Sequence, residues 1–69
     1  MITGNLYICP NECIVMYIKD NPENENMFYG VSMVALDKQY PLKGHVCKSY
    51  NKHAFQPYNE PLTIQNEKN

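Results

Sequence analysis

Cys9, Cys13, His45 and Cys47 are the side chains in this sequence best suited to chemistry. The Cys9-x-x-x-Cys13 spacing lies within the range at which structural zinc sites hold two thiolates on a tight turn. His45 and Cys47 would have to supply the other half of the tetrahedron, with His53 nearby in sequence, but His-x-Cys is not a usual chelating spacing. Buried or half-buried thiols in a reducing compartment are therefore the main reading, and zinc on Cys9, Cys13, His45 and Cys47 is the alternative. Three cysteines are an odd number and make no closed disulfide framework. Thiol catalysis would need a histidine, an orienting carboxylate or amide, and a cleft. A chain of 69 residues offers little cleft, and it carries neither a glycine-rich phosphate loop nor a paired-carboxylate motif. The expectation is no enzyme activity and no cofactor.

The other chemistry-bearing group is a run of lysines among aromatic rings. Lys38, Lys43, Lys48 and Lys52 lie close to Tyr40, Tyr50 and Phe55, whereas Glu12, Asp20, Glu23 and Glu25 belong to the first half. Cations interleaved with rings can follow a phosphate backbone and stack on bases. The chain has no arginine, however, and so lacks the usual bidentate reader of guanine and phosphate. The plainer reading is that the lysines solubilise a strand edge while the rings fill the core. Tyr40, Lys48, Tyr50, Lys52 and Phe55 are the candidate contact residues, for a protein partner first and for nucleic acid second.

The elements that must position these residues are strands. Leu6 to Cys9 and Cys13 to Ile18 are β-prone runs separated by Pro10-Asn11-Glu12, which has turn chemistry and reads either as a hairpin turn or as a bulge in a continuing strand. Asp20 to Asn26 is wholly polar and reads as a loop. Met27 to Leu36 is the most apolar run and reads as the central strand; its glycine, branched and aromatic residues disfavour a helix. Alternation would put Met27, Tyr29, Val31, Met33 and Ala35 on one face, expected to be the core face, and Phe28, Gly30, Ser32, Val34 and Leu36 on the other. Gly30 there permits a bend or a close backbone approach. Asp37 to Gly44 is a turn region, His45 to Tyr50 a fourth strand, Asn51 to Phe55 a short 3₁₀ turn, and Leu62 to Gln65 a fifth strand.

Short strands with short connections and no long helix predict an all-β domain, a small SH3-like, partly open antiparallel barrel of about five strands. It would occupy residues 1–65 as a single domain, with 66–69 a polar tail. The opening Met-Ile-Thr-Gly-Asn lacks the basic and apolar segments of a secretory signal, and no run approaches the roughly eighteen residues of a membrane span. A cytoplasmic protein that makes no membrane contact is expected. Charged residues are 19% and the net charge is −1, which excludes a long-range steering field and a disordered charged chain. Six tyrosines are many for so small a core, since each hydroxyl needs a partner or water, and this favours binding a protein or a second copy of the chain.

The middle and C-terminal two-thirds resemble a loosely defined group of short bacterial proteins, often encoded on phage-like or mobile elements. The resemblance rests on Phe28, Gly30 and Val31, then Tyr40, Pro41 and Gly44, then Tyr50, and finally Phe55 and Pro57. Tyr50 stands where that pattern has tryptophan. The resemblance implies an SH3-like barrel without assigned activity, and no catalytic residue is carried over from it.

Overall fold

The computed structural model describes residues 1–36 and 44–60. It is all-β: β1 (Leu6–Cys9), β2 (Cys13–Asp20), β3 (Met27–Ala35), β4 (Val46–Asn51), a 3₁₀ turn (Lys52–Ala54) and β5 (Gln56–Pro57). The strands form one antiparallel sheet in the order β4-β3-β2-β1-β5, a four-strand meander whose first strand also takes up β5. One face of this sheet buries Phe28 and Val15 completely. With no helical layer among the described residues to cover them, the sheet must curl over its own side chains, giving a small partly open barrel.

Local chemistry explains the connections. Pro10-Asn11-Glu12 makes a hairpin: Cys9 stands opposite Cys13, and the Glu12 N–H donates to the Cys9 carbonyl at 2.9 Å. Proline at the second position and a positive φ of 67° at Asn11 in the third are the signature of a type II turn. In the β2–β3 loop, the Asn21 and Asn24 side chains accept from the Glu23 and Asn26 N–H groups at 2.7 and 2.9 Å. Asparagine thus substitutes for backbone partners in a wholly polar segment. The 3₁₀ turn is capped by Asn51, whose side chain accepts from the His53 N–H at 2.8 Å.

The core face of β3 is the reverse of the expectation. Phe28, Gly30 and Ser32 are buried, whereas Met27, Tyr29, Val31 and Met33 are only half-buried on the opposite side. The reason is steric. A Cβ on Gly30 would lie 3.0 Å from Tyr50 Cδ2 and 3.1 Å from Phe28 Cε2, so the two rings lie across that position and need it empty. On the concave side of a tightly curled sheet, small residues leave the volume that large rings fill. Simple alternation also fails along the strand. The β2–β3 register slips between Ile14 and Val15, leaving Met33 as the extra residue, so Val34 pairs with Ile14 and Ala35 with Cys13.

The rings form a chain through the core. Tyr7 meets Tyr17 at 6.2 Å between centroids, Tyr17 meets Phe28 at 5.5 Å, and Phe28, Tyr50 and Phe55 make a triangle with sides of 5.5, 5.2 and 5.3 Å. Edge-on and tilted contacts of this kind add about 0.5–1.5 kcal/mol each beyond area burial. Phe55 enters from the connection between β4 and β5 and covers the open side of Phe28. The observed fifth strand is Gln56–Pro57 on β1, at the sheet edge where proline is tolerated. The expected strand at Leu62 to Gln65, the tail at 66–69, and most of the turn region from Asp37 to Gly44 lie outside the described residues.

Candidate interaction surface

Cys9 and Cys13 are buried side by side on the inner face, while His45 is exposed, and among the described residues no three histidine, cysteine or acidic side chains gather as a ligand set. The Cys9 thiol donates to Glu12 Oε1 at 3.0 Å. Burial, and then that carboxylate, push its pKa up to about 11, and burial raises Cys13 as well. Burial favours the neutral form of both thiols, as is usual for cysteines packed in a core.

The expected contact residues separate. Tyr50 is 9% exposed and belongs to the core, with Phe55 packed on it. Lys52 is held in an ion pair with Asp20 at 3.1 Å. Asp20 also accepts a hydrogen bond from the Tyr17 hydroxyl. That bond, with Lys52, holds the Asp20 carboxyl below the ordinary carboxylate range, and it pushes Tyr17 up to about 12. Lys48 is exposed on the other face of the sheet, and Tyr40 lies outside the described residues. The described members of the set, Lys48, Tyr50, Lys52 and Phe55, therefore offer no stacking platform, because both rings are turned into the core.

A different surface emerges on the outer face. Leu6, Met16, Val31 and Val46 stand opposite one another in successive strands and form a single apolar row across β1 to β4. A second row runs Ile8, Ile14 and Val34. Ile14 is buried, Val46 is 50% exposed and the others are half-buried. Beside the first row, two residues along β3 from Val31, stands Tyr29, with Lys19 Nζ 5.2 Å and Lys48 Nζ 5.7 Å from its ring centroid. Two ammonium groups over one phenol ring are attracted by its quadrupole, and their stems cover apolar surface.

Strand irregularities build this end of the surface. Between Tyr17 and Lys19 the β2–β3 register slips, so that Lys19 rather than Ile18 faces Tyr29. Between Phe28 and Gly30 the β3–β4 register slips as well, so that Tyr29 is opposed by both Lys48 and Ser49 of β4. Bulges re-aim side chains, and here two of them bring lysines from both neighbouring strands over one ring. Sequence reasoning had given Tyr29 to the core and had not considered Lys19. The available signal was a lone lysine at the end of an apolar strand, but its neighbour across the sheet depends on register.

The chain matches no protein-family model, no curated protein and no solved structure. Phe28, Gly30, Tyr50 and Phe55 meet in the aromatic core.

Proposed function

We propose that the protein is a non-catalytic interaction module of the cytoplasm that binds another protein or a second copy of itself, with the outer face of its sheet as the working surface. The observation that carries this reading is the row Leu6–Met16–Val31–Val46, apolar across four strands on the side away from the core. Scattered apolar residues on a surface are ordinary, but a contiguous band is not. The inner face is already committed to the aromatic chain, and the polar groups at the Tyr17–Asp20–Lys52 end satisfy one another. Three free thiols suit a reducing compartment.

The test combines sedimentation velocity over a range of concentrations with selection of random displayed peptides on the immobilised protein. The reading expects a reversible dimer, or enriched peptides, and expects Val31→Lys to abolish either one while leaving the circular dichroism spectrum unchanged. A protein that stays monomeric and enriches no peptide over the Val31→Lys variant overturns it.

A further inference from the structure

The outer face ends at β4, which pairs with β3 on one side and with no described strand on the other. Its outward side chains, Val46 and Lys48, are exposed. Val46 ends the apolar row, and Lys48 reaches back over Tyr29 towards Lys19. Among the described residues the one ion pair is Lys52 with Asp20, so Lys19 and Lys48 bring two uncompensated positive charges to one ring.

An extended segment added to a sheet edge gains main-chain hydrogen bonds, and its alternate side chains fall on the same face as those of the strand it joins. Beside β4, one such side chain would lie next to Val46 and the next, two residues along, beside Lys48. We propose that the edge of β4 at Val46, which no described strand pairs, captures an extended acidic-apolar protein segment, placing an apolar side chain beside Val46 and a carboxylate two residues away, at the Lys19–Tyr29–Lys48 cluster. This rests on the reading of the protein as an interaction module and supplies the chemistry of its partner. A second copy of β4 is the wrong occupant. Its sequence, Val-Cys-Lys-Ser-Tyr-Asn, has no acidic residue, and antiparallel self-pairing adds a third and a fourth lysine to a surface already positive.

The test uses two fluorescein-labelled synthetic peptides, Ser-Thr-Val-Thr-Glu-Thr-Ser and the same sequence with lysine for glutamate, titrated into the unaltered protein by fluorescence anisotropy. The acidic peptide should bind at least about tenfold more tightly than the basic one, and the preference should shrink as salt is raised. Lys48→Glu should reverse the preference, and amide shifts on binding should centre on Val46 to Lys48. Equal binding of the two peptides, binding of neither, or displacement of the acidic peptide by oligo-deoxythymidine in preference to unlabelled acidic peptide overturns the proposal. If display selection yields ligands that need Val31 but carry no acidic residue, the partner chemistry fails while the interaction module stands.

Discussion

Replacing Tyr50 with phenylalanine takes one oxygen from the core and leaves the ring stack with Phe28 and Phe55 in place. The Tyr50 hydroxyl is buried and has no hydrogen-bond partner among the described residues, a rare condition for a tyrosine in a folded interior. An unsatisfied buried polar group costs about 1–3 kcal/mol, whereas the dispersion contacts of one oxygen recover only a few tenths. Tyr50→Phe should therefore stabilise the protein by about 1 kcal/mol, which for a domain of this size raises the melting temperature by about 4–8 °C. A second signature lies at alkaline pH. Burial pushes Tyr50 from its ordinary value of 10.0 up to about 12, with Cys47 and Cys13 adding to the shift. A group whose folded pKa lies above its unfolded one contributes stability that is present below pH 10 and lost as the pH rises towards 12. The variant should lose that part of the alkaline decline and keep the part due to Tyr17, which is also held near 12. Urea denaturation at pH 7 and across pH 9–12 measures both effects. A variant less stable than the parent at neutral pH, with an unchanged alkaline limb, would refute the reasoning, because it would mean that the hydroxyl is bonded.

Gly30→Ala places a methyl 3.0–3.2 Å from the Tyr50 and Phe28 rings, which Phe55 keeps from retreating. A loss of about 1–3 kcal/mol in urea denaturation is expected, and a variant as stable as the parent would show that β3 does not pass beneath the rings. Asp20→Asn removes a carboxyl whose pKa is held down by Tyr17 and Lys52. The stability it provides is present above the ordinary value of 3.8 and is lost as the pH falls through the lower folded value, so the variant's acid-unfolding limb should be flatter below about pH 4. An unchanged limb would remove Asp20 from the acid response. Asn11→Ala puts an ordinary side chain at φ 67° and should cost about 1–2 kcal/mol, while Asn11→Gly should be neutral or better by the same measurement.

Strand positions were legible because they rest on local chemistry. Branched and aromatic runs gave β1 to β4 within a residue or two at most ends, the asparagine-rich segment gave the β2–β3 loop, and Asn51 to Phe55 gave the 3₁₀ turn. The inner face was not legible, and the reason is specific. Counting apolar residues favoured Tyr29, Val31 and Met33 over Phe28, Gly30 and Ser32, but the volume above Gly30 and Ser32 is filled by rings from elsewhere in the fold. Three register shifts then break the alternation on which any face assignment depends. The edge strand Gln56–Pro57 carries no signal at all, being two polar or imino residues held by β1. The Lys19–Tyr29–Lys48 cluster was hidden for the same reason as the core face, since its members meet only through register.

These two misreadings have a common origin that bears on function. A single sheet with no described second layer can fill only one of its faces with its own large side chains, and here Tyr7, Tyr17, Phe28, Tyr50 and Phe55 go inward over small residues. The branched and sulfur-bearing residues of the central strands are thereby left on the outside, where they form the apolar row on which the proposed function rests. Lys48 then has two effects at the edge of that row. It adds charge that opposes pairing of β4 with its own copy, and with Lys19 it supplies the positive charge that the proposed acidic partner would meet beside Tyr29. A lysine that served only as a guard would work equally well anywhere along β4. Its placement over a ring already occupied by a second lysine is the feature that supports the proposed acidic partner.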